Sequence, residues 1–281
     1  MKILIHSLMV AVLLSGIANA QTALEVTVTN NAPEGGTHFT PVWFGFHDGS
    51  FDSYDGGTAS SFELERLAED GNSTFLADTF AVGGTLIGGG SQNGADRVQG
   101  SLGSGPIAPG QSASQTVIVN GDGANQFFSY ASMILPSSDY YIANGNPFAF
   151  DVSDIIANGG EISFDVFQVN DAGTEVNDFA TSAGNALLAT LDLGAGQNGP
   201  DQGVSENGVN NNVLAAYAGF LNTPVDADID PNFANLKFTD RGIYNRGVAS
   251  FTIRAVSIPE PSCFTALSAL GMCVLRRRRN A

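Results

Sequence analysis

The stretch Gln168–Ala180, QVNDAGTEVNDFA, gathers Asp171, Glu175 and Asp178 on one turn, with Asp165 just upstream. Carboxylates crowded in this way have two ordinary uses: they solvate a loop, or they hold a cation. Calcium takes six to eight hard oxygen ligands in flexible geometry, so Asp and Glu around a turn suit it chemically. Gly173 stands between Asp171 and Glu175 and lets the chain fold back on itself. A second carboxylate-bearing turn lies upstream, LPSSDYYIANG, Leu135–Gly145. If adjacent strands lead into the two turns, Asp139 and Asp171 meet at one end of a sheet.

Other constellations are weaker. HDGSFDSYDGG, His47–Gly57, carries Asp48, Asp52 and Asp55, but Asp and Gly are what turns require anyway. DADIDPN, Asp226–Asn232, spaces Asp226, Asp228 and Asp230 like the start of an EF-hand loop. Its sixth position is Pro231 and its twelfth Lys237, so it cannot bind in that manner and reads as a solvated turn. Past the leader, the histidines are His38 and His47, too few and too scattered for a zinc site. His47 beside Asp48 admits a Ser-His-Asp hydrolase in principle, but no nucleophile elbow accompanies them. A glycosidase would need a carboxyl pair such as Asp48 and Asp171 at defined separation, which the sequence does not demonstrate.

Both ends read as addresses. Met1–Ala20 has a lysine near its start, an apolar run over Leu8–Ile17 and a small-residue Ala18-Asn19-Ala20 site. This is the pattern of a secretory signal peptide. At the other end, Pro259-Glu260-Pro261 precedes an apolar stretch, Phe264–Leu275, and then Arg276, Arg277, Arg278 and Arg279. The order of parts resembles the PEP-CTERM sorting signal of bacterial exported proteins. That resemblance implies transient inner-membrane contact through the tail and recognition by an exosortase-type protease. It also implies a cell surface or matrix rich in polysaccharide. A simple tail anchor, with its arginines on the cytoplasmic side, is the alternative. The expected organisation is therefore signal peptide 1–20, one domain 21–258 and sorting tail 259–281.

The chain carries 11 Lys+Arg and 28 Asp+Glu. Lys2 leaves with the leader, and Glu260 and the four arginines leave with the tail. That leaves 6 basic and 27 acidic side chains, a net charge of −21. Nucleic acid is excluded as a partner, because it is bound by neutralising phosphates. Such a surface either keeps the protein soluble or attracts cations. Cys263 and Cys273 both lie in the tail, so the domain has no disulfide, thiolate ligand or cysteine nucleophile.

The elements that must position the carboxylates are mostly strands. ALEVTVTN, EISFDVFQVN and GVASFTIRAVSI alternate, and THFTPVWFGFHDG is aromatic and β-rich. SASQTVIVNGDG and QFFSYASMILP flank a Gly-Asp-Gly turn. SSFELERLAEDG predicts a helix capped by Ser60 or Ser61 and stopped by Gly71, with Phe62, Leu64 and Leu67 on its apolar side. STFLADTFAVGG predicts a second short helix, while Ala183–Phe233 is Gly/Asn/Asp-rich and weakly patterned. The expected fold is an all-β, antiparallel β-sandwich with one or two short helices.

ILPSSDYYIANGN and VFQVNDAGTEVND resemble the paired signatures of the spondin N-terminal domain family, and FTPVWFGFHDGSFDSYDGG with LERLAEDGN is similar to the front half of its bacterial members. The resemblance runs from about Val26 to Val256. It implies a sandwich of the calcium/phospholipid-binding type with Ca2+ at its loop end. Asp139 matches the aspartate of the Pro-Ser-x-Asp motif, and Asp171 the first position of Asp-Ala-Gly-Thr-acid. Glu175 matches the acidic fifth position, where animal members show Asp. Asp122, with Asn120, is the weaker match to a third carboxylate. The cysteines that flank the animal domains are absent here, which leaves the cell-receptor roles of those proteins without support in this chain.

The sequence thus leads to a secreted, surface-sorted, calcium-binding adhesion or matrix module, non-catalytic, whose partner is extracellular polysaccharide or a cell-surface ligand. The alternatives are an extracellular carbohydrate-active enzyme using paired carboxylates and an inert acidic matrix protein.

Overall fold

In the first strand, β1 (Gln21–Asn30), Leu24, Val26 and Val28 fall on one face and all three are buried. This period of two recurs along the chain and builds two facing antiparallel sheets. The computed structural model describes residues 21–32, 37–88, 92–135, 137–176, 203–212 and 247–257. The expected signal peptide 1–20, the tail with Pro259, Glu260, Pro261 and Arg276–Arg279, the Asp226–Asn232 stretch and Asp178 lie outside the described residues.

Among the described residues one sheet has four strands, in the order β5 (Ser112–Asn120), β1, β11 (Ala249–Val256), β8 (Glu161–Val166). The other has seven. Its order is β10 (Asn211–Asn212), β9 (Asn170–Asp171), β7 (Tyr140–Ala143), β6 (Phe127–Leu135), β3 (Val42–His47), β4 (Val98–Leu102), with β2 (His38–Phe39) also pairing with β6. The fold is an all-β sandwich, as the alternation predicts.

The sandwich carries a third layer. Leu24, Val26, Phe251 and Ile253 from one sheet meet Val42, Phe44, Phe46 and Phe128 from the other in the main core. A second core forms on the outer face of the seven-stranded sheet, where Trp43, Ala131 and Tyr141 pack under helices α1 (Phe62–Asp70) and α2 (Thr74–Ala81). Strands β3 and β7 are therefore buried at every position, which explains why apolar residues run along them without alternation, His47 at the end of β3 excepted. Three α-helices are present among the described residues, the third being α3 (Ser153–Asn158), where one or two were expected. The single strand expected over Thr37–Gly49 is two strands, broken around Thr40-Pro41, because proline has no N–H to donate to a ladder. No helix of the described residues is long and apolar enough to cross a membrane.

Helix α1 starts and stops where its sequence directs. Ser61 accepts a hydrogen bond from the Leu64 N–H at 3.3 Å, and Gly71 terminates the helix in the left-handed region at φ 66°. Leu64, Leu67 and Ala68 are buried, whereas Phe62, expected on the apolar side, is 55% exposed and packs edge-on against Phe75. Ser61→Ala is expected to lower unfolding stability by about 1 kcal/mol, measured by urea denaturation. No loss would mean that the cap bond is replaced by water.

Candidate metal centre

The two acidic turns meet because β7 and β9 are neighbours. Tyr140 lies opposite Asp171 and Tyr141 opposite Asn170, and the Ala172 N–H donates to the Asp139 carbonyl at 3.1 Å. Asp139 closes the β6–β7 connection, in which Ser137 Oγ accepts from the Tyr140 N–H at 3.0 Å. The turn after β9 folds back at Gly173, whose φ is +67°. A side chain there would also collide with Gly208 and Val209, so both the conformation and the space require glycine. Asp171 Oδ1 accepts from the Gly173 N–H at 2.7 Å and so shapes the turn.

This turn brings Thr174 and Glu175 onto Asp139. Asp139 Oδ2 accepts from the Thr174 N–H at 2.8 Å, the Glu175 N–H at 3.1 Å and Thr174 Oγ1 at 3.3 Å. Asp139 is fully buried and Glu175 is 1% exposed. Among the described residues, Asp139 Oδ1 and both Glu175 carboxylate oxygens meet no donor in full hydrogen-bonding geometry, although the Gly203 N–H lies beside the Glu175 carboxylate. A segment outside the original acidic motif covers them. Val176 N–H donates to the Val204 carbonyl and Glu206 N–H to the Thr174 carbonyl. Any Cβ at Gly203 would strike the Glu175 carboxylate. Asn210 anchors this segment, accepting from Tyr141 Oη at 2.8 Å and Ser60 Oγ at 2.9 Å.

The electrostatics are adverse for carboxylates alone. Burial, then the nearby charges of Glu69 and Asp139, push Glu175 up to about 8; the Gly203 N–H works weakly in the other direction. Burial and the neighbouring Asp171 also hold Asp139 well above the usual carboxylate range, against the pull of its three hydrogen bonds. Glu69 and Asp70 come from the last turn of α1, which has no basic residue although the helix dipole favours cations there. The cation at hand is Arg66, and it is already shared by Glu65 at 2.8 Å, Glu69, and Asp70 at 2.7 Å.

Three unpartnered, hard, buried oxygens on two carboxylates suit a calcium ion chemically. Among the described residues no three His, Cys, Asp or Glu side chains converge closely enough to hold an ion on their own. Any ion held by Asp139 and Glu175 would take its remaining ligands from backbone carbonyls and water. Asp171 contributes charge and turn geometry beside them.

The other candidates fall elsewhere. Asp122 accepts from the Ala124 N–H in the exposed turn before β6. Asp139 follows the far end of β6, so a nine-residue strand, about 30 Å at ~3.3 Å per residue, separates them. Asp122 therefore does not join this site. Asp48 is at the Asp122 end of β6, because His47 pairs with Phe127 while Asp171 pairs with Tyr140 beyond the opposite end. Asp48 and Asp171 thus cannot form a glycosidase pair, whose carboxyls stand roughly 5–10 Å apart. Asp165 lies exposed on β8 and accepts from Ser250 Oγ at 2.6 Å.

His47 sits 2.9 Å from Ser129 Oγ, the separation of a nucleophile and its base. Its Nδ1, however, accepts from the Gly49 N–H at 3.0 Å, so Nε2 carries the ring proton and donates to Ser129. A ring that already holds its proton at Nε2 cannot deprotonate the serine. Burial, helped by Arg97, lowers His47 to about 4 and keeps it neutral. The pair is a packed structural contact beneath α2.

Sequence reasoning missed Glu69, Asp70 and the Gly203–Asn210 cover. The acidic, uncompensated last turn of α1 was the available signal for the first two. Nothing in the Gly/Asn-rich pattern signalled the cover, which is specified by contacts distant in sequence. No family model matches the chain, and no curated protein matches it.

Proposed function

We propose that the chain is an exported, surface-sorted, non-catalytic adhesion or matrix module with a calcium ion at the β7–β9 end of its sandwich. Asp139 and Glu175 act as the carboxylate ligands and Asp171 adds negative charge beside them. Bound calcium would neutralise this end and lock the 172–176 turn against its 203–210 cover, presenting a rigid edge to a matrix partner. The leader and the Pro-Glu-Pro tail supply the route to the surface, with an exosortase-type protease as the processing partner.

The observation that carries this reading is the pair of buried carboxylates, with three oxygens that meet no donor in hydrogen-bonding geometry among the described residues, beside the Arg66 guanidinium already shared three ways. Unpaired buried charge is costly enough that a protein neutralises it by protonation or by a counter-ion. Calorimetric titration of the exported chain with calcium tests the proposal. One saturable site is expected, lost in Glu175→Gln and Asp139→Asn and retained in Asp122→Asn. Weak binding spread over many sites and equal in all four proteins would replace it with an inert acidic matrix protein.

A further inference from the structure

A second site opens at the other end of β7. Past Ala143 the chain leaves the sheet through Asn144-Gly145-Asn146, and the β8–β9 connection passes it through Phe167 and Gln168. Between them is a cleft of about 590 Å³, within the range of small-molecule sites. Along β7 it is about 15 Å from Asp139 at ~3.3 Å per residue, so it is distinct from the acidic centre.

Its lining has a definite chemistry. Tyr54, Tyr130, Phe150 and Phe167 supply aromatic surface. Phe150 is fixed by stacking on Phe164 at 3.7 Å between ring centroids, while Phe167 stands 53% exposed at the rim. Polar groups lie between the rings and are held from behind. The Gln168 amide nitrogen donates to Tyr54 Oη at 2.9 Å and to Asn170 Oδ1 at 2.8 Å, which leaves Oε1 as an acceptor. Asn146 Oδ1 accepts from the Phe148 N–H at 3.0 Å, which leaves its amide nitrogen as a donor. Asp165 uses Oδ1 for Ser250, which leaves Oδ2 as a second acceptor. Among the described residues, no Lys, Arg or His lines the cleft.

Each feature removes a class of ligand. Without a cationic side chain, and on a strongly acidic protein, the cleft repels phosphates, sulfates and uronic acids. Spaced donors and acceptors over an aromatic floor disfavour a purely apolar ligand, because the polar groups would be desolvated without partners. What fits is an uncharged molecule with one apolar face and hydroxyls around its edge. We infer that this cleft binds a neutral sugar unit of a polysaccharide, its ring lying on Phe167 and Phe150 and its hydroxyls meeting Asn146, Gln168 and Asp165. The assignment names the partner class of the adhesion reading but does not rest on the calcium ion.

The test is calorimetric titration of the exported chain with uncharged hexose oligosaccharides of five or six units, α- and β-linked glucose and β-linked mannose, with oligogalacturonate as the acidic counter-probe. Each titration is run in calcium and again in chelator. At least one neutral oligosaccharide is expected to bind. Phe167→Ala and Asn146→Ala are each expected to weaken it at least fivefold, Phe167→Ala without moving the thermal midpoint, and oligogalacturonate is expected not to bind. Binding by none of the neutral set, or affinity unchanged in Phe167→Ala, overturns the inference. Sugar binding that persists in a chain shown to hold no calcium would defeat the cation proposal alone. A calcium site in a chain blind to sugars would defeat this inference alone.

Discussion

In chelator, the folded protein is expected to lose stability as the pH rises from about 6.5 to about 8.5, and Glu175→Gln is expected to remove most of that loss. A solvated glutamate titrates at about 4.5, and burial together with the charges of Glu69 and Asp139 raises Glu175 to about 8 in the fold. Between those values the native state keeps a proton that the unfolded state has released. The unfolded state binds fewer protons, so stability falls as pH rises through this window and levels off above about 8. One proton sets a ceiling on the slope of ~1.4 kcal/mol per pH unit. Asp52, raised to about 6 by burial and by Asp55, acts in the same sense lower down. His47, lowered to about 4, acts in the opposite sense below its solvated value of 6.5. The interval above 6.5 is therefore the one that isolates Glu175 together with Asp139. Glutamine keeps the shape and removes the titration. Saturating calcium should flatten the wild-type profile and raise stability by about 2.7 kcal/mol at 100 times its dissociation constant. Urea unfolding across pH, with and without calcium, measures all of this. A flat wild-type profile in chelator, or an equal slope in Glu175→Gln, would mean that the carboxylate is solvated in the native state.

The second large effect is at Asp139, where alanine and asparagine should part company. Asp139 Oδ2 is the acceptor for the backbone N–H groups of Thr174 and Glu175 and for the Thr174 hydroxyl. Alanine strands these donors in a buried site, and each unsatisfied buried donor costs about 1–3 kcal/mol. Relief of the repulsion with Asp171 offsets part of this, so Asp139→Ala is expected to cost about 3 kcal/mol. Asparagine keeps one oxygen for the same donors and removes the charge, so Asp139→Asn is expected to lie within about 1 kcal/mol of wild type in chelator. Amide hydrogen exchange at Thr174 and Glu175 provides the local readout, fast in the alanine variant and protected in the asparagine one. Equal stability of the two variants would show that the hydrogen bonds to Asp139 do not hold the turn.

The contrast between these carboxylates and the discarded ones is a matter of position. Asp48, Asp122 and Asp165 occupy turns and an exposed strand face, where water and local donors satisfy them. Asp139 and Glu175 are roofed by the 203–210 segment and flanked by the end of α1. Carboxylate-rich turns are common in the sequence; among the described residues, Asp139 and Glu175 are the carboxylates of such turns whose side chains are almost wholly sealed from solvent.

Local pattern alone determined strands β1, β5, β6, β8 and β11 and the two expected helices. Leu24, Val26 and Val28 alternate, Ser61 caps, and Gly71 stops, because backbone geometry and side-chain direction are set by near neighbours. The proximity of Asp139 to the Asp171–Glu175 turn was legible once the two motifs were placed at the ends of neighbouring strands. Three features were settled only by tertiary structure. The helical layer over β3 and β7 makes their outer faces a second core, so continuous apolar runs replace alternation. The direction of β6 sends Asp122 and Asp48 to the end opposite Asp139. The contact of Glu175 with Gly203 turns a polar loop residue into a buried one, and the charge of Glu69, from a helix more than a hundred residues earlier, acts on it there. Burial and register depend on partners far along the chain, and a single sequence carries no local mark of them.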